Sequence, residues 1–271
     1  MGRVPQDLKV KVPDPRLSII DRRLRRVKRI IIIASGKGGV GKSLIATTIS
    51  LLLARGGRKV GLLDLDFHGP SCHIILGAAD AKPEEARGLV PPEVHGIKFM
   101  SMIYFIGDRP LPLRGDEASD AFVELLTITR WDQLDYLVVD VPPGIAEEVL
   151  DIIRLIKRAE FLIITTPSAL AAKTVARLSQ LLQELKVPVL GLVENMCLAS
   201  EGMAQPVVGP EVKLLGRLPF DTRVEKALGN PDLLLKTNFA RSLEPIVKKI
   251  AEPTLGARSV GHPVRSLGPG D

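Results

Sequence analysis

Eight consecutive residues, Gly36-Lys37-Gly38-Gly39-Val40-Gly41-Lys42-Ser43, carry the residue types and spacing for phosphate chemistry, and they directly follow the apolar run Ile30 to Ala34. A strand that enters a glycine-rich turn and leaves as a helix points several backbone N–H groups into one concavity. Glycine permits both the backbone angles and the close approach that this requires. Lys42 is spaced to reach the β- and γ-phosphates, and the Ser43 hydroxyl to take a Mg2+ position. The N-terminus of a helix expected over Leu44 to Ala54 adds its partial positive charge. The same letters hold Gly36-x-Gly38-x-x-Gly41, and Asp64 closes the next strand at about the distance of a dinucleotide fingerprint. A dinucleotide site needs no lysine and hydroxyl after its last glycine, whereas a triphosphate with magnesium needs both. The pattern therefore points to a nucleoside triphosphate.

Such a loop works only on a frame. Short apolar runs alternate with longer amphipathic stretches, which predicts an α/β, doubly wound, mostly parallel sheet with helices on both faces. The expected strands are Ile30 to Ala34, Val60 to Leu65, Ile97 to Met102, Tyr136 to Val139, Phe161 to Thr165, Val187 to Val193 and Leu214 to Leu218, with helices in most gaps. Ligands of these sheets bind beyond the carboxyl ends of the strands. There the second run ends in Asp64-Leu65-Asp66, and Asp140-Val141-Pro142-Pro143-Gly144 follows the fourth. Asp140 fits the Walker-B position, holding Mg2+ through water, with the Pro-Pro-Gly turn beside the γ-phosphate. Asp66 is the better candidate for aligning an attacking water and Asp64 for bracing the site or joining the metal shell. A buried aspartate paired with a lysine is the competing reading for either.

The 271 residues, 45% of them hydrophobic, suit one large α/β domain. Two cysteines, Cys72 and Cys197, cannot build a disulfide framework, and no apolar run approaches membrane-spanning length, so the expected setting is cytoplasmic. Only 3 Asn and 5 Gln beside 21 prolines fit a thermophilic host. The net charge of +6 is local: residues 1–29 hold 10 Lys/Arg against 3 Asp/Glu, a net +7 that leaves −1 for the rest. Expected organisation is a basic lead-in over 1–29, an ATPase domain over 30–251 and a mobile Gly/Pro-rich tail over 252–271. Arg22, Arg23, Arg25, Arg26, Lys28 and Arg29 could grip nucleic acid or an anionic membrane. With no aromatic residues interleaved to stack on bases, a solvated lead-in helix with Ile19, Ile20, Leu24 and Val27 as its buried stripe is preferred. His68-x-x-x-Cys72-His73 has poor spacing for a metal site and is read as a packed loop.

Lys37 inside the loop makes it resemble the variant Walker motif, with a second lysine, shared by the ParA, MinD, nitrogenase-iron-protein and Mrp groups. Within these the chain is similar to the Mrp family of ATPases associated with iron–sulfur cluster assembly. Asp21-Arg22-Arg23-Leu24, Asp64-Leu65-Asp66-Phe67-His68-Gly69-Pro70-Ser71, Arg114-Gly115, Val193-Glu194-Asn195-Met196 and Leu215-Gly216-Arg217-Leu218-Pro219-Phe220-Asp221 carry the likeness in order. The resemblance implies an ATP-driven homodimer, or a heterodimer with a related ATPase, in which Lys37 of one subunit reaches the phosphates held by the other. It also implies that Asn195 contacts adenine, that Pro219 and Phe220 wall the base pocket, and that iron–sulfur apoproteins are clients.

Two departures stand out. Many Mrp relatives carry a Cys-x-x-Cys pair whose four thiolates, two per subunit, hold a 4Fe-4S cluster at the dimer interface, but here Cys197 is followed by Leu198-Ala199-Ser200-Glu201 with no second cysteine. Cys197 alone supplies two thiolates per dimer where such a cluster wants four. Relatives often place Thr-Gly-Asp after the Pro-Pro-Gly turn, where this chain has Ile145-Ala146-Glu147. The expected function is an Mrp-type ATPase for cluster assembly or transfer, without its own cluster. The alternative is a ParA/MinD-like positioning ATPase that binds DNA or membrane through residues 22–29.

Overall fold

In the run Ile30 to Ala34, Ile31 and Ile33 belong to one apolar core and Ile30, Ile32 and Ala34 to another. A strand apolar on both sides is satisfied only inside a sheet covered on both faces, and the computed structural model has that arrangement. It describes residues 14–67, 69–106, 116–144, 147–198 and 212–252. The chain begins with α1 (Pro15–Leu24), β1 (Val27–Ser35), α2 (Lys42–Arg55), β2 (Val60–Asp64), α3 (Cys72–Leu76), β3 (Glu84–Glu85), β4 (Leu89–Val90), β5 (Glu93–Val94), β6 (Ile97–Ser101) and α4 (Ile103–Ile106). It continues with α5 (Asp116–Ile128), β7 (Leu134–Asp140), α6 (Glu147–Leu155), β8 (Ala159–Thr165), α7 (Ala169–Glu184), β9 (Val189–Cys197), β10 (Leu214–Pro219), α8 (Arg223–Ala227), α9 (Pro231–Leu234) and α10 (Asn238–Ala251).

The main sheet has the order β10-β9-β8-β1-β7-β2-β6-β5, with every pairing parallel except β5 with β6. Strand order reverses at β1 and β8, which puts a ligand crevice beyond the carboxyl end of β1. Ile45 and Ile49 of α2, Ile75 of α3 and Phe239, Leu243 and Ile246 of α10 cover one face. Ile20 and Leu24 of α1, Phe122 and Leu126 of α5, Ile152 of α6 and Leu178 of α7 cover the other.

All seven expected strands exist, and three short ones are additional. Gly77, Pro83, Gly88, Pro91, Pro92 and Gly96 break helical continuity between α3 and β6, and the chain there forms the antiparallel β3–β4 pair and β5. Strand β9 extends past the expected Val193 because Glu194 and Cys197 pair with Arg217 and Pro219 of β10. Strand β1 starts at Val27, paired with Leu134, three residues before the expected run, so the basic cluster spans a helix end, a turn and a strand. Ile20, Leu24 and Val27 are buried as expected, whereas Ile19 is half-buried. The expected tail, beyond Glu252, lies outside the described residues.

Half of the basic cluster is committed to the fold. An N–H of Arg23 donates to the Thr129 carbonyl at 3.1 Å, and Lys28 meets Asp135 at 2.7 Å. Arg29 grips Glu160 through two bonds of 2.8 and 3.0 Å and also donates to the Ile250 carbonyl.

Phe122 stacks on Phe67 with ring centroids 4.7 Å apart, tying α5 to the turn that carries Asp66. Phe122→Ala should cost about 3–5 kcal/mol, read as a lower urea midpoint with an unchanged slope.

Candidate nucleotide-binding site

The loop after β1 is shaped by what its neighbours leave room for. A Cβ on Gly36 would lie 2.6 Å from Thr174 Oγ1 and 2.8 Å from the Thr174 backbone, so only glycine lets the loop rest on α7. Gly39 and Gly41 have φ of +75° and +83°, in the left-handed region. Gly41 is the N-cap of α2 and no side chain caps the helix, which leaves first-turn N–H groups available to an anion. Asn195 Nδ2 donates to the Val40 carbonyl at 2.9 Å from a fully enclosed position, fastening the loop to β9.

Beside this loop lies a cavity of about 560 Å³. Gly38, Gly39, Lys42, Ser43 and Asp66 line its polar end, and Met196, Pro219, Phe220, Val224, Leu228 and Phe239 its apolar end. Phe220 is 57% exposed, an aromatic ring left at a cavity wall rather than packed into the core. Asp221, next in sequence, accepts from the Asn238 and Phe239 N–H groups. The bonded Arg223 holds its carboxyl well below the usual range.

Behind the polar end, Asp64 and Asp140 face each other in register at the ends of β2 and β7, both fully buried. Lys42 Nζ lies 2.5 Å from Asp140 Oδ1 and 3.6 Å from Asp66 Oδ2. Asp64 accepts the Asp66 N–H at 3.1 Å on one oxygen and the Cys72 N–H at 3.2 Å on the other. Burial, then the Asp140 charge, pushes the Asp64 carboxyl up to about 7. Burial also raises Asp140, against the pull of the Lys42 ammonium and the Ser43 hydroxyl. Burial disfavours the Lys42 ammonium, but Asp140 and Asp66 outweigh it and the group ends above its ordinary value. Three carboxylates thus share one ammonium. That shortfall of positive charge, with hard oxygen donors from Asp64, Asp140 and Ser43, fits Mg2+.

Of the residues expected from the sequence, Lys37 through Leu44, Asp66, Asn195, Pro219 and Phe220 line the cavity. Gly36 packs on α7 instead, and Asp140 is covered by Lys42. Cys197 is half-buried at the end of β9, its carbonyl accepting the Phe220 N–H at 3.0 Å. His68, Arg114, Gly115, Ile145, Ala146 and the segment 199–211 lie outside the described residues. Cys72 is packed as expected, fully buried, but it opens α3 rather than lying in a loop, and its Sγ stands 3.6 Å from Asp140 Oδ2. The Gly69-Pro70-Ser71 turn returns the chain toward the strand ends. The apolar wall from α8 and α10 is not expected from the sequence, because the five residues of α8 are too few to show periodicity.

Residues 26–254 match the family model described as ParA, NUBPL iron-transfer P-loop NTPase. The chain belongs to that family. Members of similar sequence include proteins named iron-sulfur cluster carrier protein. The one from Methanocaldococcus jannaschii is 34% identical over 259 residues, covering 88% of this chain and 89% of that one. The one from Pseudomonas fragi is 42% identical over 177 residues, covering 64% of this chain and 62% of that one. The iron-transfer NTPase fold is shared with a nucleotide-binding protein from Archaeoglobus fulgidus solved with ADP, at 29% identity and a TM-score of 0.66 over 88% of this chain and 94% of that one. It is shared also with the Pyrococcus furiosus cell division ATPase MinD, at 20% identity and a TM-score of 0.60 over 82% and 98%. No helix among the described residues is long and apolar enough to cross a membrane.

The raised Asp64 carboxyl fixes the sign of a pH effect. Its usual value is 3.8 and its folded value about 7, so its contribution to stability is complete below about pH 4 and is lost as pH rises through 7. Asp140 is shifted in the same direction. Metal-free, nucleotide-free protein should therefore melt lower at about pH 8 than at about pH 5; a flat or rising melting profile would show Asp64 ionised throughout. Gly41→Ala forces a side chain into φ +83° and against Asn195 Nδ2. The left-handed cost of ~1–2 kcal/mol should appear as about 5–30-fold weaker nucleotide binding by calorimetry, with the fold retained.

Proposed function

We propose that the chain is an ATP-binding and ATP-hydrolysing dimeric switch that serves iron–sulfur cluster assembly or transfer. The observation that carries this reading is the cavity running from Lys42 and Ser43 to Phe220, in a chain of the iron-transfer NTPase family. The amides of Gly38 through Leu44 hold the β- and γ-phosphates. Lys42 exchanges its Asp140 partner for phosphate oxygens, which frees Asp140. Ser43, Asp140 and Asp64 would hold Mg2+; when bound, the ion would neutralise phosphate charge and polarise the phosphoryl oxygens. Asp66, beside Lys42, orients the attacking water, and Asp64 keeps it in place by accepting its backbone N–H. At the other end, Asn195 meets adenine through Oδ1 while Nδ2 holds Val40, and Phe220 and Pro219 flank the ring.

Lys37 is half-buried at the cavity, without an ion-pair partner among the described residues. In a homodimer, or a heterodimer with a related ATPase, it reaches the phosphates of the facing subunit. Two triphosphates across a two-fold axis concentrate negative charge, and a lysine from the opposite subunit couples closure to nucleotide state. The cluster is cargo in this reading. Cys197 supplies one thiolate from each subunit, two per dimer, and an apoprotein client completes the set of four. A cytoplasmic setting suits such clients. The positioning alternative loses support because Arg23, Lys28 and Arg29, half of the basic cluster, are engaged within the fold.

Lys42→Ala should lower turnover by about 10²–10³-fold and abolish detectable ATP binding by calorimetry. Lys37→Ala should keep ATP binding but lose both turnover and ATP-dependent dimerisation in light scattering; full activity in that variant defeats the trans-lysine role. Anaerobic incubation with iron and sulfide, with and without an apoprotein acceptor, tests the cargo. A chromophore should form only with the acceptor, and no transfer to any acceptor would overturn the assignment.

A further inference from the structure

Ser35 ends β1, the strand that runs into the phosphate loop, and nothing in the proposed function uses it. It is 1% exposed, yet it is one of the residues that line the cavity. Its hydroxyl donates to the Lys37 carbonyl at 2.9 Å, and its own carbonyl accepts the Gly144 N–H at 2.8 Å. One residue therefore holds the glycine loop through its side chain and the Pro-Pro-Gly turn through its backbone. The anchor is itself fixed, because β1 lies between β7 and β8, and Ser35 is in register with Ile164 of β8. Lys37 follows Gly36 and precedes Gly38-Gly39, a stretch where the backbone has most freedom. Gly36 is pinned against Thr174. The Ser35 bond is the next restraint along the loop, and it orients the peptide that leaves Lys37.

We infer that Ser35 is a positioning residue: by holding the Lys37 carbonyl, its hydroxyl aims the Lys37 ammonium out of its own subunit and toward the phosphates of the facing one. The inference rests on the trans-lysine role in the proposed function and adds the residue that sets its geometry. Ser35 touches no reacting atom. It acts through Lys37, whose charge counts in the transition state only where it arrives in place, and a misplacement of about 1 Å costs roughly 10²-fold in rate. The bond from Gly144 gives the turn after Asp140 the same anchor, so both loops that face the γ-phosphate in the proposed function are referred to one fixed point on β1.

Ser35→Ala removes the donor and keeps the backbone contact to Gly144. ATP turnover should fall about 10²-fold, while KM and ADP affinity by calorimetry stay close to wild type and ATP-dependent dimerisation weakens in light scattering. Ser35→Cys, similar in size with a weaker donor, should fall between the two, and it replaces the alanine variant in every arm if that variant does not fold. Mixing subunits separates aiming from folding. In a mixed dimer of Ser35→Ala and Lys42→Ala, the subunit that binds ATP keeps its own Lys42 and receives a correctly aimed Lys37 from the other. Turnover that is nearly lost in either variant alone should therefore return on mixing, as it should when Lys37→Ala is mixed with Lys42→Ala. Return in the Lys37 pair but not in the Ser35 pair overturns this inference and leaves the proposed function standing. No return in either pair overturns the trans-lysine role and this inference with it. Full turnover in Ser35→Ala alone, or a loss carried by KM, also overturns it.

Discussion

The ion pair between Lys42 and Asp140 is the contact on which the rest of the site depends. Both groups are buried, and a buried ion pair gains little over apolar packing once desolvation is counted. Its significance lies in what each partner does when separated. In the proposed function the lysine grips phosphate and the aspartate joins a metal shell, so their pairing holds each in a ready, neutralised state. Asp66 at 3.6 Å offers the ammonium a second carboxylate within the same pocket. Movement of Lys42 between carboxylate and phosphate therefore rearranges charge locally, without exposing a bare charge to the apolar interior.

The sheet makes that pairing possible by aligning strand ends. Ile33 of β1 is level with Asp140 of β7, which is level with Asp64 of β2. A slip of one residue in either pairing would turn the aspartate into one of the apolar cores. The isoleucines of β1, held from both faces, prevent such a slip. The loop is then held from two sides: Gly36 lies against Thr174 of α7, and Asn195 reaches Val40 from β9. Met196 follows with φ of 60°, a conformation that costs a non-glycine residue roughly 1–3 kcal/mol. Backbone strain thus sits beside the side chain that fastens the loop.

Much of this was legible along the chain. The glycine loop, both lysines, Ser43, and the aspartates at the ends of two apolar runs lie in contiguous stretches whose spacing carries the chemistry, and the seven long strands follow from their apolar runs. What the sequence did not show belongs to short or irregular elements. Cys72 opens a five-residue helix after a Gly-Pro-Ser turn, and the apolar wall gathers Val224, Leu228 and Phe239 from around α8 and the start of α10. The basic run from Arg22 to Arg29 looked uniform, yet Arg23 and Arg29 bond across the fold to Thr129, Glu160 and Ile250, while Lys28 pairs with Asp135 at the surface.

By itself the sequence determined the phosphate cradle, the parallel sheet and the acidic strand ends, because each depends on local backbone geometry or on short continuous apolar runs. Only the tertiary structure decided that Lys42 rests on Asp140, that Asn195 fastens the loop, and that Cys72 stands behind the carboxylates. Those contacts join residues dozens to more than a hundred positions apart, or depend on which side of a short helix faces the strand ends. Strand register and helix packing set such relations in space, and no local pattern encodes them.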